Sequence, residues 1–198
     1  AGDEVILPSY TYVGVANAFA NTGASLVFVD IDPSNMNMDP DCVVKAITAK
    51  TKAIVAMHYA GVSCAIDKIR EIADKHQIKL VEDNAQGIHS TFNGQLLGSF
   101  GDFSCISFDS MKNISCGEGG VLLYKEKYHQ EIIETYDNGT DKDAFEKGIV
   151  PFYSWLRRGS KFQISEFSAA ILNPLLKVSK KICKERLDIW KQFYQMSK

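Results

Sequence analysis

Two rhythms of apolar and polar positions alternate along the first part of the chain. Residues 5–7 are an apolar run closed by Pro8, the pattern of a short buried strand. Residues 12–21 are Ala-rich and run out near Gly23, which predicts a helix. Residues 26–29 predict a second buried strand, followed by turn chemistry at Asp30, Asp32 and Pro33. A short helix is expected over 43–49, begun at Asp39-Pro40. Residues 53–57 predict another buried strand. Ile66, Ile69, Ile72 and Ala73 then keep helical spacing within 66–76. Leu80-Val81 opens a strand that ends in acid, Glu82-Asp83. Strand and helix at this rhythm predict an α/β fold, with a mostly parallel sheet and helices on both faces.

After Gly87 the pattern changes. Residues 90–92 and 95–97 flank Asn93-Gly94, the signature of a β-hairpin with a type I′ turn. Residues 103–108 and 121–124 predict two more strands, parallel or antiparallel to each other. Residues 128–136 predict a helix, and 137–154 are polar and irregular, so a long surface loop is expected there. From Ile164, the positions Phe167, Ile171, Leu175, Val178, Ile182, Ile189 and Phe193 predict a helix that Pro174 should kink or divide near Asn173. The chain enters its first apolar run by Val5 and stops soon after the last helical pattern, which predicts a piece of a longer protein.

Composition narrows the function classes. Twenty-two Lys and Arg against 24 Asp and Glu give a net charge of −2, which argues against an obligate nucleic-acid binder. Residues 177–198 hold seven Lys/Arg and two Asp/Glu, but a solvated helix face explains that local surplus without a nucleic acid. No apolar run approaches the ~20 residues of a membrane span, so no membrane partner is expected. Five widely spaced cysteines without a CxxC pair, and no histidine pair at ligand spacing, leave no metal site or disulfide framework. Reduced thiols in the cytoplasm are the simplest reading.

The candidate chemistry lies at strand ends. Asp83 should stand at the carboxyl end of a buried strand, where open α/β sheets bind ligands; it equally reads as a helix or turn cap. Lys112 follows the next strand, beside Gly117-Glu118-Gly119-Gly120. A lysine on such a loop can form an imine if its amine is desolvated, although most lysines are simply solvated. Tyr12 closes the first strand and can stack on a planar ring or pack in the core. His58, closing another strand, reads as a hydrogen-bonded structural histidine more readily than as a base. Tyr12, His58, Asp83 and Lys112 should all fall at carboxyl ends of strands in one sheet. An aromatic, an acid and a lysine there are what a pyridoxal phosphate site requires.

The segments Gly2-Asp3-Glu4-Val5-Ile6, Pro8-Ser9-Tyr10-Thr11-Tyr12, Glu82-Asp83-Asn84-Ala85-Gln86 and Ser107-Phe108-Asp109-Ser110-Met111-Lys112-Asn113, with Gly117-Glu118-Gly119-Gly120, resemble in order the DegT/StrS family of nucleotide-sugar aminotransferases. His58-Tyr59-Ala60-Gly61, Asn138-Gly139-Thr140 and Tyr153-Ser154-Trp155 are similar to the branch that aminates dTDP-4-keto-6-deoxyhexoses. The resemblance implies the large domain of the aspartate aminotransferase-like, type I fold. Residues 1–198 would be that domain, incomplete at its N-terminus, with 164–198 leading toward a smaller C-terminal domain. It implies a pyridoxal 5′-phosphate enzyme, homodimeric and cytoplasmic, that moves an amino group from glutamate to a keto-sugar nucleotide for surface polysaccharide or amino-sugar synthesis. A non-catalytic relative with a binding or regulatory role is the alternative.

The same resemblance implies residue roles. Lys112 matches the Schiff-base lysine and Asp83 the partner of the pyridine nitrogen. Gln86 matches the side chain near the phenolic oxygen, Ser107 a phosphate-binding hydroxyl, and Tyr12 the aromatic on the ring. Where the family usually carries Gly-x-Asn-Tyr-Arg, this chain has Gly159-Ser160-Lys161-Phe162-Gln163, so Lys161 is the candidate phosphate contact. Asp109 stands where many members have His or an aromatic.

Overall fold

A computed structural model of the chain describes residues 2–197. Ten strands form one six-stranded sheet and two small hairpins. The sheet contains β1 (Glu4–Pro8), β2 (Ser25–Val29), β5 (Thr51–Met57), β6 (Lys79–Asp83), β9 (Phe103–Ser107) and β10 (Gly120–Tyr124), in the order β10-β9-β6-β5-β1-β2. All neighbouring pairs are parallel except β9 and β10, which are antiparallel. This is the expected α/β architecture, with an antiparallel strand at one edge. Hairpins β3 (Ile31–Asp32) with β4 (Asn37–Met38), and β7 (Thr91–Phe92) with β8 (Gln95–Leu96), complete the set.

Side-chain alternation sorts each strand between two faces. Ile6, Ile54, Ala56 and Leu80 pack under helices α2 (Pro40–Ala46) and α3 (Ile66–Lys75), which contribute Val43, Ile66, Ile69 and Ala73. Val5, Leu7, Ala53 and Val55 face the other way, against Val15, Ala16 and Phe19 of α1 (Val13–Ala20). Helix α2 starts where Asp39 accepts the Asp41 N–H at 2.8 Å and Pro40 occupies the first turn. It ends three residues short of the expected boundary, because the Thr51 hydroxyl takes the Thr48 N–H at 2.9 Å and turns the chain into β5. The hairpin turn has Asn93 at φ 49 and Gly94 at φ 82, the left-handed pair that a type I′ turn needs.

After β10 come α4 (His129–Tyr136), α5 (Lys142–Glu146) and α6 (Glu166–Met196). The expected loop over 137–154 therefore contains a short helix, held at the surface by Lys142–Glu146 (3.4 Å) and Lys147–Asp143 (2.6 Å) ion pairs. Its apolar positions carry no helical period, so the sequence pattern hid it. Pro174 does not divide α6 either. The proline forfeits one backbone bond, while Leu172, Leu175 and Ile182 on both sides of it pack on one cluster with Phe108, Ile114 and Cys116. That cluster presses α6 against the loop carrying Lys112.

One carboxylate ties elements together where β6 and β9 begin. Asp102, 5% exposed, accepts from Leu80 N–H (3.0 Å), Arg70 (3.2 Å) and Lys125 (3.0 Å). Burial alone would raise its pKa, but these donors outweigh it and hold the carboxyl down to about 2. A folded value below the unfolded one stabilises the fold fully above about pH 4 and is lost as pH falls toward 2. Asp102→Asn should therefore cost about 1–2 kcal/mol at pH 7. In urea melts that deficit should shrink between about pH 4 and 2; a deficit constant with pH would show that the charge is not what stabilises.

Candidate active site

Because β1, β5, β6 and β9 are parallel, their carboxyl ends share one edge of the sheet. Tyr12, His58, Asp83 and Lys112 all lie at that edge, as the strand-end reading predicts, and Ser107 ends β9 beside them. Two surface hollows lie at the opposite edge. One is lined by Thr48, Lys52 and His76, the other by Asp3, Thr22 and Lys52.

Hydrogen bonds stitch the edge together from strand to strand. The Tyr10 and Tyr59 hydroxyls meet at 2.9 Å, joining the end of β1 to the turn after β5. His58 N–H donates to Asp83 C=O at 3.1 Å, and Asn84 N–H donates to Cys105 C=O at 3.0 Å. Asp83 is buried, with Oδ1 accepting Ala85 N–H at 3.1 Å and no other hydrogen bond to its carboxylate among the described residues. Burial pushes its carboxyl up, against the opposing pull of Ala85 N–H, the Lys112 ammonium and His58. Cys105, directly beside Asp83 on β9, is exposed as a residue, and its thiol is raised by partial desolvation against the sheet and then by the Asp83 charge.

Lys112 is half-buried in a turn closed by its own N–H to Asp109 C=O at 3.0 Å. Asp109 caps that turn by accepting Met111 N–H at 3.0 Å, a local role that suits an acid at this position. Ser107 Oγ accepts Asp109 N–H at 3.3 Å, so its O–H remains to donate elsewhere. Gln86 Oε1 accepts Ala60 N–H at 2.6 Å, which leaves the Nε2 donors unspent. Tyr12 is 73% exposed at the start of α1. Its ring lies over Gly14, where a Cβ would come within 2.7 Å of the ring.

His58 is the buried structural histidine the sequence suggested: it is 0% exposed and bonded to Glu82 at 3.0 Å. Lys161 stands apart. It is exposed, its backbone bridges to Asp137, and it shares no hydrogen bond or ion pair with Asp83, Gln86, Ser107 or Lys112. The sequence did not reveal the partners of this site. Gly87 is one: a Cβ there would collide with Asn84 Oδ1, so the strand end closes only around glycine. Gly139 and Gly159 are another pair, packed backbone to backbone where the 137–162 loop recrosses α4. Arg157 holds that loop through Glu134 (2.7 Å) and Glu131 (2.9 Å).

A family model described as the DegT/DnrJ/EryC1/StrS aminotransferase family matches residues 1–196. The chain belongs to that family. Among solved structures, it is similar to a protein of Streptococcus pneumoniae described as a sugar aminotransferase. Its PMP form has TM-score 0.88 and 29% identity over 97% of this chain and 54% of that one. The PLP form of the same protein gives 0.88 and 27%, over 98% and 53%. The aminotransferase TlmJ of Streptoalloteichus hindustanus matches at 0.88 and 30%, over 98% and 51%. DesI, solved in the presence of its TDP-sugar product, matches at 0.80 and 31%, over 91% and 44%. The chain spans about half the length of these relatives.

Pyridoxal phosphate is the cofactor that this family membership indicates. The DegT-family edge fits it chemically. Asp83 has an unspent oxygen for a protonated ring nitrogen, Gln86 an unspent N–H₂ for an oxyanion, and Ser107 an unspent O–H. Lys112 carries an amine in the turn after β9 at the same edge.

The Gly87 collision gives a direct test of how this edge is built. Gly87→Ala should cost about 2–3 kcal/mol, because the clash is with a buried amide that has nowhere to retreat. Chemical denaturation measures it; a cost under about 0.5 kcal/mol would show that Asn84 repacks freely.

Proposed function

We propose that the whole protein containing this chain is a pyridoxal phosphate-dependent transaminase that transfers an amino group from glutamate to a keto-sugar nucleotide. The observation that carries the reading is Asp83: a buried carboxylate with a free oxygen, on the same strand edge as Lys112, inside the span matched by the family. A dTDP-4-keto-6-deoxyhexose is the proposed acceptor, as for a dTDP-4-amino-4,6-dideoxygalactose transaminase. The His58-Tyr59-Ala60-Gly61 and Asn138-Gly139-Thr140 segments support that narrower reading, as does the relative solved with a TDP-sugar. The product would be an amino sugar of the kind built into surface polysaccharides, made in the cytoplasm by a homodimer.

Bound pyridoxal phosphate supplies an aldehyde that captures an amine and a ring that accepts an electron pair. Lys112 Nζ would hold the cofactor covalently. Once released, it would take a proton from the amino donor and return it, as general base and then general acid. Asp83 Oδ2 would keep the ring nitrogen protonated. Its raised proton affinity reflects burial without a cation in full contact, and a ring N–H⁺ is the partner it lacks. Gln86 Nε2 would donate to the phenolic oxygen and Ser107 Oγ to the phosphate. The Tyr12 ring would cover one face and exclude water. Lys161, on its separate loop, would serve a phosphate only across a subunit boundary.

Two expectations follow for the complete natural protein. Borohydride reduction after addition of pyridoxal phosphate should place a phosphopyridoxyl group on Lys112 alone, read by peptide mass mapping, and Lys112→Ala should abolish it. Scattered labelling would overturn the lysine assignment. Asp83→Ala should retain the cofactor but slow amino transfer by about 10²-fold or more, in line with loss of a positioned acid–base partner. Turnover within about threefold of wild type would exclude Asp83 from the chemistry.

A further inference from the structure

We propose that His58 and the turn it opens are a positioning device for Gln86, deciding which end of the Gln86 amide meets the cofactor. The inference rests on the pyridoxal phosphate reading of the site. It begins with the 2.6 Å hydrogen bond from Ala60 N–H to Gln86 Oε1. A backbone N–H can only donate, so the atom facing it is the amide oxygen and the N–H₂ end is turned away from it. An unheld glutamine amide can present either end. Toward an ionised phenol, the N–H₂ end attracts and the oxygen end repels. The Ala60 N–H therefore sets the sign of the contact.

Ala60 reaches Gln86 only through an uncommon backbone conformation, φ 53 and ψ 22, left-handed for a residue with a Cβ. The neighbourhood holds it there. Gly61 N–H donates to His58 C=O at 3.1 Å, closing the turn. A Cβ on Gly61 would sit 2.9 Å from the Gln86 carbonyl oxygen, so the two backbones are in close approach. The His58 ring ties the far end of this segment, at Cys64, to the sheet interior. Its Nδ1 accepts Cys64 N–H at 3.3 Å, which puts the ring proton on Nε2, and Nε2 donates to Glu82 Oε2 at 3.0 Å. Glu82 cannot yield, because it also accepts N–H groups from Gly98 (2.7 Å), Phe100 (2.8 Å) and Gly101 (2.5 Å). Both side chains of the His58–Glu82 pair are 0% exposed. The brace thus runs from the sheet interior through His58 and Ala60 to one side chain at the site.

The test uses the whole natural protein loaded with pyridoxal phosphate. The ionised and protonated phenol of the bound cofactor absorb in separate bands, and their ratio at fixed pH reads how strongly Gln86 donates. Gln86→Leu should lower the ionised-to-protonated ratio about fivefold, the loss of one hydrogen bond. His58→Asn should lower it in the same direction by about twofold or more, and should add nothing in the double variant with Gln86→Leu. His58→Gln, which still donates to Glu82, should restore most of the ratio. If His58→Asn does not fold, Glu82→Gln takes its place with the same expectations. A lower melting temperature with an unchanged band ratio, or full additivity in the double variant, would overturn the positioning role. An unchanged ratio in Gln86→Leu would overturn it as well, while leaving cofactor binding intact. Failure of the wild-type protein to bind pyridoxal phosphate would instead remove the functional reading beneath it.

Discussion

Glu82 is a charged side chain inside the sheet, and it can be there only because every lone pair finds a donor. Burial would push its carboxyl up, yet His58 and the N–H groups of Gly101 and Gly98 bring it below the ordinary carboxylate range. An uncompensated charge at this depth would cost several kcal/mol. None of the donors is a near neighbour of Glu82 in sequence. The chain returns from the β7–β8 hairpin and folds residues 98–101 around the carboxylate before it enters β9. Placement of β9, and with it Ser107 and the Lys112 turn, depends on that encirclement.

Asp83, one residue further on, has the opposite character. It takes a single backbone N–H and keeps an oxygen unspent. The neighbouring groups at this edge are arranged in the same way: Gln86 spends its oxygen and keeps its N–H₂, and Ser107 spends a lone pair and keeps its O–H. Each polar side chain is half satisfied by the protein, and the unsatisfied half has a defined chemical sense. Fixed donors and acceptors of this kind need no reorganisation when a ligand arrives, which is how a site stabilises charge in a partly desolvated place. The clamp from Arg157 to Glu131 and Glu134 does comparable work on the 137–162 loop, holding a segment rich in exposed aromatics without an apolar core beneath it.

Much of the architecture was legible because local pattern and tertiary role agree. The runs at Ile6, Ile54 and Leu80 are strands because they are buried, and Asp39-Pro40 starts a helix by chemistry that needs no distant partner. Legibility failed where the deciding partner is remote. Pro174 reads as a break, and only the packing of Leu172 and Ile182 on the Lys112 loop shows why the helix continues. Helix α5 depends on ion pairs rather than on an apolar stripe. The candidate residues Asp83 and Lys112 were visible from their places after strands. The orientation of Gln86 was not, since it is set by an alanine 26 positions away in an unusual conformation. Nor could the sequence show that Glu82, rather than Asp83, is the acid that the fold encloses.

That last distinction has a consequence for folding fidelity. In the native register Glu82 lies opposite Ala56 and Ser104, while Asp83 lies opposite Met57 and Cys105. A slip of β6 by one residue would exchange the two faces of the strand. Asp83, with a side chain one methylene shorter, would then enter the interior without reaching the encircling N–H groups, and Leu80 would leave the α2–α3 face to the smaller Val81. The adjacent acids act as an error check on assembly: a molecule whose β6 is misaligned loses the enclosed carboxylate and the half-satisfied one at the strand end together.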